Sequence, residues 1–224
     1  MTRVAIAGLG GFAQAHLRAV HRLAAEGRCE LVATCDPTRD DHPEGVRHYT
    51  QLCELLESEE VDLLCLPTPV FLHAEQHRLA VEAGVQVYLE KPPTLWWPEL
   101  LQMIQVDQEA EKATQVGFNF IADPFRRSIK ARAIAGDFGA LKSTTLHGIW
   151  PRNVDYYARN NWAGKIKVGD RWVLDSCTGN ALAHYVQNVL WMCGLGNLDA
   201  VARVKSVQAE LSHAHSIESF DTIL

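Results

Sequence analysis

The stretch Arg3-Val-Ala-Ile-Ala-Gly-Leu-Gly-Gly-Phe-Ala-Gln-Ala-His16 decides the fold of the first half of this chain. Gly8, Gly10 and Ala13 form a G-x-G-x-x-A spacing between an apolar run and a segment with helical periodicity. In such a turn the first glycine allows the tight bend and the second lets the backbone approach a pyrophosphate, while the small third residue lets helix and strand pack closely. The helix that follows directs its free N–H groups at that pyrophosphate.

A carboxylate follows at the expected place. The second apolar run, Leu31 to Cys35, ends at Asp36, where an acid can accept hydrogen bonds from adenosine ribose hydroxyls. The alternative is a plain glycine turn and a solvated aspartate, but strand, turn, helix, strand and acid occur in the order that a dinucleotide site requires. Asp36 would repel a 2′-phosphate, so we expect NAD, with NADP as the alternative because Arg39 is close in sequence.

Composition and charge limit the kinds of partner that the protein can bind. Of 224 residues, 47% are hydrophobic and 21% are charged, which is ordinary for a globular protein of one or two domains. The net charge of −6 and the lack of a dense Lys/Arg run argue against a nucleic-acid partner. No apolar run is long enough to span a bilayer, so no membrane partner is expected. The six cysteines form no C-x-x-C pair and several lie in apolar runs, which predicts buried thiols and a cytoplasmic location.

Strand-like and helix-like segments alternate through residues 1–120, which predicts an α/β domain with a parallel sheet covered on both faces. Ligands then bind at the carboxyl ends of the strands. A short helix around 52–56, with Thr50 as its cap, lies between the second and third long apolar runs. Predicted strands are 4–7, 31–35, 62–67, 85–89 and 115–119, and the other predicted helices are 12–23, 72–83 and 95–112.

Residues 121–224 change pattern and predict an α+β domain of helices and antiparallel strands. We expect a helix over 124–135, a strand over 141–147, a loop over 151–171, a strongly apolar and buried helix over 180–193, and a strand over 200–211. The chain ends soon after the strand-like run 200–211, which would leave an uncovered sheet edge. Proteins normally cover such edges, so we expect the second domain to be truncated.

Glu90-Lys91-Pro92 follows the fourth predicted strand on the ligand side of the sheet. A lysine there can donate to a substrate hydroxyl or lie near the nicotinamide. The alternative is a surface ion pair at a strand end. The two prolines after Lys91 argue against an ordinary solvated strand end, because they fix the backbone just after the lysine.

Asn180, His184 and Asn188 recur at i, i+4 and i+8 on the apolar helix of the second half. A polar stripe on a buried helix must find partners or line a cleft. A single buried histidine is usually structural, but one within such a stripe is a candidate general base. We expect His184 to face the same cleft as Lys91.

No metal site is expected. His73 and His77 lack the zinc-protease spacing, in which a glutamate directly follows the first histidine. His213 and His215 fit one face of a strand better than a ligand pair. The chain also lacks a serine nucleophile elbow and a phosphate-binding G-x-x-x-x-G-K motif.

Together these motifs resemble the glucose–fructose oxidoreductase, inositol dehydrogenase and rhizopine-catabolism family (Gfo/Idh/MocA). The resemblance rests on the glycine turn with His16, on Asp36-Pro37, on Thr68-Pro69 with His73, on Glu90-Lys91-Pro92, on Val116-Gly-Phe-Asn119, and on His184 seven residues before Trp191.

The resemblance implies a Rossmann domain followed by an α/β domain with a large, mostly antiparallel sheet. It implies oxidation or reduction of a sugar, polyol or related hydroxy compound with NAD or NADP. Lys91 would orient the reacting hydroxyl, and His184 would accept its proton. Residues implied at the cofactor are Gly8, Gly10, Gly11, Phe12, Ala13, Asp36, Thr68, Pro69, His73, Glu90, Lys91 and Asn119.

The chain departs from the family at Asn180, where members often have an aspartate four residues before the catalytic histidine. An amide can hydrogen-bond a sugar hydroxyl but cannot take a proton. Two other functions therefore stay open, a glycosidase that uses NAD for transient oxidation and elimination, and an NAD-binding sensor without turnover. A broad sheet face in the second domain would pair with another subunit, so we expect a homodimer or homotetramer.

Overall fold

The first unit is built on one parallel sheet. The computed structural model describes residues 1–210, which fall into two compact units, Met1–Gly117 and a second that begins at Phe118. Within residues 1–117 the six strands lie in the order β3-β2-β1-β4-β5-β6, and every paired neighbour is parallel. This doubly wound order confirms the predicted α/β fold. The strands are β1 (Thr2–Ala7), β2 (Cys29–Cys35), β3 (Arg47–Tyr49), β4 (Leu63–Leu66), β5 (Gln86–Leu89) and β6 (Gln115–Val116).

Four helices cover this sheet, and each corresponds to a predicted helix. They are α1 (Ala13–Ala25), α2 (Leu52–Ser58), α3 (His73–Glu82) and α4 (Trp97–Glu109). A 3₁₀ turn, Val70–Leu72, precedes α3. The predicted cap of α2 is wrong, because Gln51 and not Thr50 occupies the cap position and its side chain makes no capping hydrogen bond.

Alternate residues of β1 pack against opposite faces of the sheet. Ala5 and Ala7 belong to an apolar cluster that includes residues of α2, α3 and α4. Val4 and Ile6 belong to a second cluster that includes Leu17 of α1. A strand covered on both faces must be apolar throughout, which is why residues 4–7 carry no polar side chain.

Three of the six cysteines lie in this core as free, buried thiols, as predicted. They are Cys29, Cys35 and Cys65. Burial raises the pKa of Cys35 and of Cys65 to about 12, so both stay protonated at neutral pH.

The strand order places a ligand crevice at the carboxyl ends of β1 and β4. β1 pairs with β2 on one side and with β4 on the other, so the connections after β1 and β4 leave on opposite faces of the sheet. Open α/β sheets bind ligands where the strand order reverses in this way. The glycine turn that follows β1 lies at this edge of the sheet.

The described part of the second unit contains three α-helices and a short hairpin, and most of its residues lie outside helices and strands. Its elements are α5 (Pro124–Ile134), α6 (Val154–Ala158), β7 (Lys167–Val168), β8 (Arg171–Trp172) and α7 (Ala183–Cys193). β7 and β8 form a two-stranded antiparallel hairpin. The prediction of α5 is confirmed, and the Asp123 side chain caps it by accepting a hydrogen bond from the backbone N–H of Arg126.

Two predicted strands of this unit are wrong. Residues 141–147 and 200–210 form no strand, because no described segment pairs with either of them. The two leucines of the first segment are exposed instead, Leu141 by 50% and Leu146 by 38%. The predicted loop over 151–171 contains α6 and β7, with β8 beginning at its last residue. Leu211, His213 and His215, also predicted to lie in strands, are outside the described residues.

The predicted helix over 180–193 is shorter and less buried than expected. Cys177–Ala181 form a π-helical turn, and Leu182 leaves the helical conformation with φ −96° and ψ 5°, so α7 begins at Ala183. Two side chains of α7 that the all-apolar pattern placed in the interior, Tyr185 and Val186, are each 39% exposed. Within the described residues, α7 is therefore not buried on all sides, although its sequence is mostly apolar.

Candidate functional site

Gly8 makes the turn after β1. Its φ of +94° is a conformation that side-chain-bearing residues rarely adopt, and a Cβ at this position would lie 3.1 Å from Cγ2 of Thr68. Its N–H donates to the carbonyl oxygen of Cys35 at 2.7 Å, which joins the ends of β1 and β2. The first glycine is therefore needed both for its backbone conformation and for close packing.

Gly10 faces open space. A Cβ at this position would meet only Cδ of Arg39, at 3.8 Å. The backbone N–H groups of Gly10, Gly11 and Phe12 donate to no acceptor among residues 1–210. Three successive open donors at a glycine turn are what a pyrophosphate needs.

No side chain caps the N-terminus of α1, which leaves this end of the helix open to an anion. The cap residue, Phe12, makes no capping hydrogen bond, and the first turn carries no acidic side chain that would oppose a phosphate. Ala13 is fully buried, so the third small residue of the motif lies where the helix packs on the sheet. The glycine turn and the helix start thus fit the phosphates of a dinucleotide.

Asp36 holds the loop after β2 in place. Its Oδ1 accepts hydrogen bonds from the N–H and hydroxyl of Thr38 and from the N–H of Arg39, and its Oδ2 accepts one from the N–H of Leu9. Burial alone would raise the pKa of Asp36, but these donated hydrogen bonds outweigh it and the pKa lies below its usual value. Oδ2, with a single donor, keeps the acceptor capacity that a ribose hydroxyl would use.

Arg39 is held by a neighbouring carboxylate. Its Nε donates to Oδ1 of Asp41 at 2.8 Å and its Nη2 donates to Oδ2 at 2.6 Å, a bidentate pair. A 2′-phosphate would have to compete with Asp41 for this guanidinium.

The carboxylate of Glu90 holds the Glu90-Lys91-Pro92 segment through two contacts. Its Oε1 lies 3.0 Å from Nε2 of His16, with both side chains about nine-tenths buried, and its Oε2 accepts a hydrogen bond from the N–H of Lys91. A Cβ on Gly117 would lie 3.3 Å from Glu90 Oε1, so the glycine leaves room for this carboxylate. Glu90 therefore links α1 to the backbone of Lys91.

His73 bridges two loops at the carboxyl edge of the sheet. The side chain is 1% exposed, and its two ring nitrogens each lie 2.9 Å from a backbone carbonyl oxygen, Nδ1 from Pro92 and Nε2 from Thr68. Burial lowers the pKa of His73 against the opposing effect of these carbonyls. The structure thus places His73 beneath the Thr68-Pro69 loop, so any contribution to cofactor binding is made through the loop.

In the second unit, His184 lies among aromatic rings. It stacks on Phe120 at 4.7 Å between ring centroids, and the ring of Phe118 is nearly perpendicular to it at 6.0 Å between centroids. The guanidinium of Arg126 lies over the Phe120 ring at 4.1 Å. Asn119 begins the 3₁₀ turn that carries Phe120, so Phe118, Phe120 and His184 belong to one packed group within the second unit.

The predicted stripe of Asn180, His184 and Asn188 does not lie on one regular helix. Asn180 belongs to the π-helical turn, and the break at Leu182 changes its direction relative to the other two. The interior face of α7 still carries Asn188, whose Oδ1 is buried without a hydrogen bond from the described residues.

Asp175 contacts the candidate residue Asn180, a partner that sequence spacing does not predict. Its Oδ1 accepts a hydrogen bond from Nδ2 of Asn180 at 2.8 Å, and its Oδ2 accepts one from the N–H of Gly164 at 2.6 Å. A carboxylate is therefore present next to Asn180, although it comes from five residues earlier in the chain.

The structure brings together many of the predicted cofactor residues of the first unit. The glycine turn, Asp36, Thr68-Pro69 and Glu90-Lys91 follow β1, β2, β4 and β5 at the same edge of the sheet. Asn119, Asn180 and His184 lie in the second unit. In residues 1–210 no cluster of three potential metal ligands is present, and no helix has the length and apolarity to cross a membrane.

Solved structures resemble the chain beyond its first unit. The WlbA dehydrogenase from Bordetella pertussis, solved with NADH and UDP-GlcNAcA, is 28% identical with a TM-score of 0.75, over 86% of this chain and 58% of that one. Myo-inositol 2-dehydrogenase from Lactobacillus plantarum is 28% identical with a TM-score of 0.55, over 62% of this chain and 42% of that one.

Curated relatives include an inositol 2-dehydrogenase from Ralstonia nicotianae, 24% identical over 86% of this chain and 54% of its own length. Another is the 4-carboxy-2-hydroxymuconate-6-semialdehyde dehydrogenase of a Sphingobium species, 28% identical over 60% of this chain and 44% of its own length. The chain thus spans about half the length of the curated relatives it matches.

A family model, described as an oxidoreductase family with an NAD-binding Rossmann fold, matches residues 2–118. Those residues contain the whole parallel sheet, the glycine turn and the Glu90-Lys91-Pro92 segment. Because the match spans more than half of the 224 residues, the chain belongs to the Gfo/Idh/MocA oxidoreductase family, as its motifs predict, and its first unit is that family's NAD-binding Rossmann domain.

Proposed function

We propose that this protein is an NAD-dependent dehydrogenase or reductase that acts on a hydroxyl group of a sugar, polyol or related small molecule. The observation that carries the proposal is the glycine turn after β1, where three backbone N–H groups are open and a Cβ on Gly10 would meet almost nothing. A turn kept free in this way fits a dinucleotide better than a structural bend. Inositol and nucleotide-linked sugars, named for the relatives, define the substrate range to test.

Different residues of the chain take different roles in this proposal. The glycine turn holds the pyrophosphate, and Oδ2 of Asp36 accepts a hydrogen bond from the adenosine ribose. A bound NAD would supply the hydride acceptor for the carbon that bears the hydroxyl, or the hydride donor in the reverse direction. Lys91 donates a hydrogen bond to the oxygen of that hydroxyl, and His184 accepts its proton. Asn180, oriented by Asp175, hydrogen-bonds the substrate and carries no proton.

NAD is preferred over NADP in this proposal. Asp36 repels a 2′-phosphate, and the cation nearest in sequence, Arg39, is already engaged by both oxygens of Asp41. Tighter binding of NADP than of NAD would overturn this part.

A homodimer or homotetramer and a larger antiparallel sheet in the second domain also belong to the proposal. Several large apolar side chains of the second unit are exposed, among them Ile149 by 93% and Val154 by 81%. Such surfaces are usually covered by further chain or by another subunit.

The role of Lys91 is tested by Lys91→Ala. We expect NAD affinity to stay close to wild type and turnover to fall about 10²-fold, because a positioned donor at the reacting oxygen is lost. The measurement combines an NAD titration with nicotinamide absorbance over a panel of cyclic polyols and UDP-linked sugars. Lys112→Ala is the matched control, since Lys112 donates to the carbonyl of Gly84 just before β5 whereas Lys91 follows that strand.

Three outcomes contradict the proposal in different ways. Wild-type turnover in Lys91→Ala leaves that lysine a structural role only. NAD binding without reduction of the nicotinamide by any hydroxy compound favours a sensor. Cleavage of an aryl glycoside without net nicotinamide reduction favours a glycosidase.

A further inference from the structure

Two arginines of the second unit lie over aromatic rings in the segment around α6. Arg152 lies 4.3 Å from the ring centroid of Trp150 and 4.4 Å from that of Tyr156. Arg159 lies 3.6 Å from the Tyr156 centroid and 5.3 Å from that of Trp162. We call these five residues the arginine–aromatic cluster. Tyr156 joins the two guanidinium groups, so they form one group of cations on adjoining ring faces.

The segment that carries the cluster is basic although the chain is acidic. Residues 142–171 contain six Lys and Arg against two Asp, whereas the whole chain has a formal net charge of −6. A local excess of positive charge on an acidic protein attracts an anionic ligand and does not follow from overall composition.

Neither arginine of the cluster is neutralised by a carboxylate. Among residues 1–210, no salt bridge includes Arg152 or Arg159. Asp155, the nearest acid in sequence, accepts a hydrogen bond from Nδ2 of Asn153. Nη1 of Arg152 donates to the carbonyl oxygen of Pro151 at 3.3 Å, and Nη1 of Arg159 donates to that of Tyr156 at 2.6 Å, whereas Nη2 of each arginine donates to no described group. These remaining donors can serve an anion.

The cluster is connected to the segment that bears Asn180. Oδ1 of Asn160 accepts hydrogen bonds from the N–H groups of Trp162 and Ala163, which fixes the chain after Arg159. The next residue, Gly164, donates to Asp175, and Asp175 accepts a hydrogen bond from Asn180. A short series of hydrogen bonds therefore joins the cluster to the turn four residues before His184.

We propose that the arginine–aromatic cluster binds the diphosphate of a nucleoside diphosphate-linked substrate, with the guanidinium groups on the phosphoryl oxygens and an exposed ring against the base. Planar guanidinium groups match phosphoryl oxygens, each arginine of the cluster donates to the described part of the protein through one terminal nitrogen only, and Trp150, 52% exposed, offers a face for stacking. A neutral polyol has no charge for these arginines to bind. This inference rests on the proposed function and specifies its substrate class.

The test is calorimetric titration of the 224-residue chain with UDP, at saturating NAD so that the Rossmann crevice is filled. We expect saturable binding that weakens as salt is raised, because the contacts are ionic. Arg152→Gln and Arg159→Gln should each raise the Kd for UDP about tenfold or more, the usual cost of losing a charge-assisted hydrogen bond, and leave the Kd for NAD unchanged. Pyrophosphate and uridine, titrated separately, show whether the phosphates or the base supply the affinity.

Arg132→Gln is the matched control. Arg132 also lies over a ring, that of Phe138 at 4.8 Å, but its Nε donates to Asp137, so its loss should leave the UDP affinity unchanged. Equal UDP affinity in wild type and in both cluster variants would overturn the inference, as would the absence of UDP binding to wild type.

Thermal unfolding shows whether each variant folds. Should Arg152→Gln unfold, Arg159→Gln and Arg152→Lys, which keeps the charge and loses the planar fork, decide the question in its place. Reduction of NAD by a polyol in a protein that does not bind UDP would leave the proposed function standing and remove this inference alone.

Discussion

At the scale of single residues, Asp36 has more than one role. Its position at the end of β2 predicts a ribose acceptor, yet three of its four observed hydrogen bonds go to Oδ1 from the loop that follows. The fourth, from Leu9 to Oδ2, ties the glycine turn to β2. Asp36 therefore shapes the crevice as well as facing it.

Replacing Asp36 with Asn should destabilise the first unit by about 2 kcal/mol at neutral pH, since one oxygen that accepts several hydrogen bonds becomes a donor group. The folded-state pKa of Asp36 is lowered, so its contribution is present above the unfolded value of 3.8 and is lost as pH falls through the folded value. Urea unfolding should show a constant difference between wild type and variant above about pH 5 that shrinks below about pH 4. A difference that grows on acidification would contradict this assignment.

Some residue roles depend on contacts that sequence spacing does not reveal. The sequence places His73 at the cofactor, but only the structure shows that its ring nitrogens face the carbonyls of Thr68 and Pro92. Asp175 likewise became visible as the partner of Asn180 and Gly164 only in the fold. The roles of Lys91 and His184 in the reaction stay predictions.

At the scale of elements, the first unit was predictable because each strand is buried on both faces. Such strands give continuous apolar runs, and the runs for β1, β2, β4 and β5 all correspond to observed strands. The second unit offered only short alternating runs. Over 141–147 and 200–210 the alternation does not produce a strand, because a strand needs a partner and no described segment supplies one.

The glycine turn after β1 allows a matched comparison. Gly8→Ala adds a Cβ at φ +94° and 3.1 Å from Thr68, whereas Gly27→Ala, beyond the other end of α1, adds one at φ +70° with nothing within 4 Å. We expect the first variant to lose about 1 kcal/mol more stability than the second, which pays only for the left-handed backbone. Chemical denaturation measures both, and equal losses would show that packing against Thr68 contributes nothing.

At the scale of the whole molecule, the two units differ in how far sequence could identify them. The glycine turn, the acid after β2 and the Glu90-Lys91-Pro92 segment occur in a fixed order, and that order was enough to predict the Rossmann domain and its family. We propose that the second unit binds the substrate, and the features that carry this proposal are contacts such as those of the arginine–aromatic cluster. Periodicity and spacing carry no signal for ring-stacked cations.

The central claim is that the turn after β1 is kept open for NAD, and Gly10→Ala tests it most directly. The added methyl group meets only Cδ of Arg39 at 3.8 Å, so the free energy of unfolding should change by less than about 1 kcal/mol. Gly196→Ala, in the second unit, is the control, because its Cβ would meet only Ala200 at 3.7 Å.

Titration with NAD should give a Kd about tenfold or more above wild type for Gly10→Ala and an unchanged Kd for Gly196→Ala, because the methyl group occupies the space of the pyrophosphate. A folded Gly10→Ala variant that binds NAD as tightly as wild type would contradict the account.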